Sequence, residues 1–288
     1  MVGTGSSIGT VSSIRRYPVK SMLGEELPAA TVSERGVAGD RAYALIDEAT
    51  GKVVSVKRPK LWGRIFELVA TTEHDTVEVT FPDGSSASID ASDLPERLSA
   101  FFGRRVSVAS VPPPDATFDE VWAGELKDGA APYFGMPSRT EDGVEMIDAP
   151  VSLGVPGGFF DYGAIHIVST GTVRTLAALA PGSRFDAHRF RPNLVVETDD
   201  DGFVESAWQG RALTIGPVRL SVSFTVPRCV MTTLAQGGLP ADRDVLRTIA
   251  QHNRVDVFGT GTPYPCAGVY ADVTSGGTIR AGDPVTLD

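Results

Sequence analysis

Cysteine is scarce in this sequence, which has two, Cys229 and Cys266, among 288 residues. Two thiols well separated along a chain make a poor disulfide framework, so reduced cysteines in a cytoplasmic protein are predicted. A plant-type iron–sulfur cluster needs four cysteine ligands and is therefore excluded within this chain. The four histidines are scattered without metal-ligand spacing, so no zinc site is predicted.

Long apolar runs and an excess of positive charge are also missing. No run approaches the length of a membrane span, and the first residues lack the basic and apolar regions of a secretory signal. The 26 basic and 36 acidic residues give a net charge of −10. General affinity for nucleic acid or for an anionic membrane is therefore not expected, although a local basic pocket remains compatible with this charge.

Glycine and proline are plentiful, at 31 and 20 residues. Alternating apolar runs between glycine-centred turns predict hairpins, as around Asp83–Gly84. The pattern indicates a mainly β fold with a few helices, divided into two domains. We expect a flexible tail, a first domain, a connecting segment rich in proline, glycine and acidic residues, and a second domain, over residues 1–10, 11–111, 112–156 and 157–288.

Three predicted strand ends carry polar side chains beside a proline. YPVKS contains Lys20 and Ser21, HRFRPNLVVE contains Arg191 and Asn193, and TVPRC places Arg228 next to Cys229. Each alone is explained as a surface charge beside a turn. Together these forked donors and the thiol predict a pocket for an anionic cofactor, in which Arg228 would favour the thiolate form of Cys229.

Six stretches in order resemble the MOSC family (molybdenum-cofactor sulfurase C-terminal domain) preceded by a MOSC N-terminal β-barrel domain, and are similar to amidoxime-reducing components and their bacterial counterparts. The resemblance extends over residues 11–287. It implies two β-barrel-like domains. The stretches that carry it are YPVKS, GDRAYALID, PGGFFDYGAIHIVST, FRPNLVVE, PRCVMTTL and GTIRAGDPVTL.

The resemblance implies a molybdenum cofactor (Mo-molybdopterin) and makes Cys229 both the metal ligand and the catalytic residue. It assigns the remaining cofactor contacts to Lys20, Ser21, Arg41, Ser169, Thr170, Arg191, Asn193, Arg228 and Tyr270. The implied activity is reduction of N-hydroxylated small molecules, with electrons from an external ferredoxin, cytochrome or reductase. A carrier that binds the cofactor without turnover needs the same residues and remains the alternative. Cys266, flanked by proline and alanine, is predicted to be a small buried residue.

Overall fold

The computed structural model describes residues 5–121, 136–141, 144–259 and 261–288. Strands dominate these residues, which confirms the predicted mainly β fold. The strands of the first half are β1 (Ser6–Arg16), β2 (Glu25–Leu27), β3 (Ala29–Ser33), β4 (Gly36–Val37), β5 (Ala44–Asp47), β6 (Val69–Glu73), β7 (Thr76–Thr80), β8 (Ser86–Ser88), β9 (Val106–Ala109), β10 (Thr117–Val121), β11 (Ser138–Glu141) and β12 (Val144–Pro150).

The second half contributes eight further strands. They are β13 (Ile165–Ser169), β14 (Leu194–Glu197), β15 (Ala212–Ile215), β16 (Val218–Pro227), β17 (Arg254–Val255), β18 (Tyr264–Ser275), β19 (Gly277–Arg280) and β20 (Pro284–Leu287). The helices in the described residues are α1 (Pro59–Trp62), α2 (Leu94–Phe102), α3 (Thr170–Leu179) and α4 (Asp244–His252). None of them is long and apolar enough to cross a membrane.

Seven strands form a closed barrel in the order β13-β14-β1-β20-β15-β16-β18, because β13 also pairs with β18. Buried apolar and exposed polar side chains alternate along the barrel strands. In β16, Val218, Leu220 and Val222 are buried in the barrel core, while Arg219 and Ser221 between them are exposed. Sheet closure leaves no exposed edge, which stabilises these strands against mispairing. The ends of β16 and β18 therefore have fixed positions.

The first strand belongs to this barrel rather than to the first domain. β1 lies between β14 and β20, with Thr10 opposite Glu197 and Ser7 opposite Thr286. The predicted flexible tail is therefore wrong from residue 6 onward, since these residues pair with β20 and Thr10 also pairs with β14; residues 1–4 lie outside the described part. Propensity could not show this, because β14 and β20 are far from β1 in sequence.

The remaining first half forms smaller sheets around its own apolar core, which includes Val19, Leu45, Trp62, Leu68 and Leu98. β6, β7 and β8 pair in order, β5 pairs with β9, and β3 pairs with both β4 and β19. The β3–β19 pairing joins the first half to the barrel a second time.

The predicted irregular connecting segment also contains regular structure. β10, β12 and β11 form a three-stranded antiparallel sheet, and Phe118 of β10 is fully buried beside Val53. The prediction is wrong for these strands. β11 has no apolar residue in its sequence and β10 has two, so apolar periodicity gives little signal in either. Residues 122–135 and 142–143 of the segment lie outside the described part.

Candidate functional site

Two adjoining cavities lie where the ends of β16 and β18 meet the first half of the chain. The thiol cavity is lined by Lys57, Glu120, Val121, Asp161, Tyr162, Val226, Pro227, Arg228, Cys229, Met231, Tyr264 and Tyr270. The arginine cavity is lined by Lys20, Ser21, Arg41, Ser55, Val56, Lys57, Asp161, His166, Phe190, Arg191, Arg228, Met231 and Tyr270. The five residues common to both walls make them one continuous site.

Seven of the ten residues predicted from sequence line these cavities. Cys229 lines the thiol cavity, and the others are Lys20, Ser21, Arg41, Arg191, Arg228 and Tyr270. Lys20, Ser21 and Arg41 come from the first half of the chain, and the other four residues come from the second. The structure therefore places the donors of the two halves around one space, although they are far apart in sequence.

The other three predicted residues do not line either cavity. Ser169 caps α3 by accepting a hydrogen bond from the Thr172 amide at 3.0 Å. The Thr170 hydroxyl accepts from the Thr198 amide at 3.0 Å. The Asn193 side-chain amide donates to Asp40 Oδ2 at 2.9 Å and its carbonyl accepts from the His166 amide at 3.1 Å. Cofactor contacts of these three residues stay a prediction; what the structure shows is that their polar atoms make hydrogen bonds within the protein.

Three of the six non-glycine residues with a positive φ in the described part of the chain line the arginine cavity. Ser21, Arg41 and Arg191 have φ values of 68°, 49° and 53°, a left-handed conformation that side chains with a Cβ seldom adopt. Each such residue costs on the order of 1–3 kcal/mol and persists only where surrounding contacts enforce it. Strain at three cavity-lining residues is typical of a binding site whose donors are held in place before the ligand arrives.

Arg191 and Arg228 are buried cations without a carboxylate partner in the described part of the chain. Arg191 donates from Nη1 to the Met22 carbonyl at 2.6 Å, and its guanidinium lies 4.2 Å from the centre of the Tyr17 ring. Arg228 donates from Nε to the Ala267 carbonyl at 2.7 Å and from Nη1 to the Phe190 carbonyl at 3.2 Å. Burial lowers the pKa of each to about 10.

A single neutral histidine connects the two arginines. His166 Nδ1 lies 3.2 Å from the Arg191 carbonyl and must donate to it, so Nε2 accepts from Arg228 Nη2. Burial and then the charge of Arg228 lower the pKa of His166 well below 6.5, which agrees with this tautomer. The imidazole therefore fixes the Arg228 guanidinium without adding a charge.

On the far side, one peptide group joins Arg228 to a buried carboxylate. The Ala267 carbonyl accepts from Arg228, while the amide of the same peptide, on Gly268, donates to Glu205 Oε1 at 2.8 Å. Gly268 has a φ of 80°, and a Cβ there would lie 2.7 Å from His166 Nε2. Only glycine allows this approach without displacement. The positive end of the peptide dipole therefore faces the carboxylate of Glu205, and its negative end faces the guanidinium of Arg228. Both contacts are electrostatically favourable.

Four charged residues alternate in sign between the two cavities. Asp161 pairs with Lys20 and, at 3.1 Å, with Lys57, which in turn pairs with Glu120. Burial would raise the pKa of Asp161, but the two lysines outweigh it and hold that pKa well below its usual range. These charges balance one another. Arg41 is paired with Asp40, so the unbalanced positive charge of the site is that of Arg191 and Arg228.

Cys229 is partly exposed to the thiol cavity and directly precedes the 3-10 helix Val230–Thr233. Burial raises the pKa of its thiol, and Lys57 is the cation that partly offsets the increase. The predicted support of the thiolate by Arg228 stays a prediction: its guanidinium makes its hydrogen bonds to carbonyls and to His166, while its charge still interacts with Cys229. Cys266 is fully buried, as predicted, and burial raises its pKa to about 11.

Sequence reasoning missed Lys57, Glu120, Asp161, Tyr162 and His166. Asp161 and Tyr162 lie within PGGFFDYGAIHIVST, which was recognised as a motif without assigning them a role. Glu120 belongs to the segment interpreted as a connection, and His166 was set aside with the scattered histidines. No local pattern marks Lys57, whose role depends on partners distant in sequence. No group of three His, Cys, Asp or Glu side chains that could hold a metal occurs among residues with a described position.

Comparison with known proteins finds relatives that align with nearly the whole chain. The bovine (Bos taurus) mitochondrial amidoxime reducing component 2 is 25% identical over 295 residues, covering 96% of this chain and 83% of that protein. The mouse (Mus musculus) mitochondrial amidoxime-reducing component 1 is 24% identical over 294 residues, covering 97% and 82%. The crystal structure of the YUAD protein from Bacillus subtilis aligns with a TM-score of 0.44 at 10% identity, covering 97% of this chain and 94% of that one.

Two family profiles match consecutive parts of the chain. The profile of the MOSC N-terminal beta barrel domain matches residues 8–115, and that of the MOSC domain matches residues 157–286. Together they include every residue that lines the arginine cavity. The chain therefore belongs to the MOSC family, with a MOSC N-terminal beta barrel domain followed by a MOSC domain.

Proposed function

We propose that the two cavities bind the molybdenum cofactor, with Cys229 as the protein ligand of the metal. The observation that supports this is the pair of buried guanidiniums, Arg191 and Arg228, which face a cavity next to a thiol and lack a carboxylate partner in the described structure. A pterin phosphate would supply the missing negative charge through forked hydrogen bonds. A thiolate is a soft ligand suited to a metal already bound to sulfur.

The proposal gives each side chain a defined task. Arg191, Arg228 and Arg41 would hold the phosphate and the pterin, and Lys20 and Ser21 line the same cavity. His166 and Glu205 would act indirectly by fixing Arg228. Because burial raises the pKa of Cys229, its proton must be displaced when a metal binds, so affinity for the metal increases with pH.

The reaction that fits this site is reduction of an N-hydroxylated small molecule, such as an amidoxime or a hydroxylamine. Bound in the cavities, the cofactor would supply the two-electron chemistry that cleaves the N–O bond. Overall, an N-hydroxy group, two electrons and two protons yield an N–H group and water. The two relatives that cover nearly the whole chain are named for amidoxime reduction, which supports this substrate class. The electrons would come from an external ferredoxin, cytochrome or reductase, and the cytoplasm is the proposed location.

Protein purified from a host that makes the cofactor provides the test. We expect molybdenum near one per chain, bound pterin, and reduction of a hydroxylamine with a dithionite-reduced dye. NADH alone should not support turnover, because the chain carries no cluster-binding set of cysteines. Bound molybdenum and pterin without turnover would instead indicate a cofactor carrier, and absence of both would refute the proposal.

A further inference from the structure

Arg189 is another buried arginine, and it lies outside the walls of both cavities. It is fully buried in a short 3-10 helix, two residues before Arg191. Its guanidinium makes no ion pair in the described part of the chain. It lines neither cavity, so the proposed cofactor contacts leave this residue unused. A fully buried cation without a carboxylate needs a structural reason.

Backbone carbonyls from three places surround this guanidinium. Nε donates to the Arg184 carbonyl at 2.9 Å, and Nη2 donates to the Pro240 carbonyl at 2.8 Å. Nη1 donates to the carbonyls of Thr232 and Leu234 at 3.3 and 3.4 Å. Arg189 therefore connects the segment that carries Arg191 to the segment that follows Cys229.

Most other hydrogen bonds of the segment after Cys229, residues 230–240, are local. They include the Thr232 amide to the Cys229 carbonyl at 3.2 Å and the Gln236 amide to the Leu239 carbonyl at 3.0 Å. Met231 and Leu234 also pack against the apolar core of the first half. Two consecutive glycines with positive φ follow Gln236 and permit many backbone conformations. Arg189 supplies bonds that bind this segment from outside at three of its carbonyls.

We propose that Arg189 is a positioning residue that holds residues 230–240, and with them Cys229, against the segment that carries Arg191. A guanidinium suits this role because its planar fork offers five donors in fixed directions, whereas a lysine has one nitrogen that can reach fewer of the separated carbonyls. Any effect of Arg189 on a bound cofactor rests on the proposed function. The anchoring of residues 230–240 does not, so the anchoring can be refuted while the proposed function stands, and the reverse.

Amide hydrogen exchange of the ligand-free full chain tests the anchoring directly. In Arg189→Met, amides of residues 230–240 should exchange about tenfold faster, because opening of the segment no longer breaks the Arg189 hydrogen bonds. Amides of β16 and β18 should be unchanged. Arg189→Lys should fall between Arg189→Met and the wild type. Arg184→Met, which removes an exposed cation from the same loop, serves as the matched control and should behave like the wild type.

The two cysteines give a second readout. A bulky maleimide should label Cys229 faster in Arg189→Met, while Cys266, fully buried in β18, stays protected. Unchanged exchange over residues 230–240 would overturn the proposal. Equal acceleration there and in β16 and β18 would also overturn it, because it would show general destabilisation. If Arg189→Met does not fold, the same outcomes apply to Arg189→Lys, which retains the charge.

Discussion

Replacing Arg191 with methionine should stabilise the ligand-free protein while removing its anion site. Burial lowers the pKa of this guanidinium from 12.5 to about 10. At neutral pH both the folded and the unfolded chain carry the proton, and the folded chain binds it less tightly. The difference costs the native state on the order of 3 kcal/mol, and the cost is relieved only as the pH rises above about 10.

The substitution also removes favourable contacts. The hydrogen bond from Arg191 to the Met22 carbonyl, at 2.6 Å, contributes about 1 kcal/mol. The ring contact with Tyr17, at 4.2 Å, contributes a similar amount of about 1 kcal/mol. A methionine side chain would retain apolar contacts with the aromatic rings of Tyr17 and Phe66. The net expectation is an increase of about 1 kcal/mol in the free energy of unfolding.

Urea unfolding in phosphate-free buffer measures this change. Arg243→Met, at an exposed position, is the control and should change stability by less than about 0.5 kcal/mol. Inorganic phosphate should then stabilise the wild type by mass action and stabilise Arg191→Met less. A loss of more than about 1 kcal/mol in phosphate-free Arg191→Met would refute the reasoning, because the buried charge would then be no cost to the native state.

Three further expectations concern other parts of the site. Cys229→Ser should abolish hydroxylamine reduction and lower the molybdenum content, whereas Cys266→Ala should keep turnover and lose on the order of 1 kcal/mol of stability. A fragment of residues 150–288 should show no cooperative unfolding transition, because β1 lies between β14 and β20 in the barrel; a folded fragment would contradict this. Between pH 7 and 5 the wild type should lose more stability than His166→Gln, because His166 stays neutral when folded and takes up a proton near pH 6.5 when unfolded; equal losses would disprove its neutral state.

Local chemistry explains which site residues the sequence could predict. Lys20, Arg191 and Arg228 each lie within two residues of a proline at the start or end of a predicted strand. The direction of a side chain has no such signal. Arg228 and Cys229 are adjacent in sequence, yet the guanidinium makes hydrogen bonds to Ala267 and His166. Burial raises the pKa of the thiol, and the charge of Lys57, which is distant in sequence, partly offsets that increase.

Features that depend on distant partners could not be predicted. The ion pairs of Lys57 with Asp161 and Glu120 join three separate parts of the chain. The same limit applies to the fold: alternation indicated a strand after residue 10, but its extension to Ser6 depends on pairing with β14 and β20. Periodicity predicts which face of an element is buried, whereas the partner that covers it is set by topology.

The position of β1 also has a consequence for the order of folding. This strand is synthesised first, yet Ser6 pairs with Leu287 and Thr10 pairs with Glu197. Contacts between residues so far apart in sequence are slow to form, because a long loop must close before the pairing is rewarded. The apolar core around Leu45 and Leu98 can assemble earlier from residues close to one another. The end of β1 near Arg16 can pair early with β2, but the end near Ser6 has no partner until β14 and β20 are made. Until the barrel closes, that end is an exposed edge at which the nascent chain can aggregate.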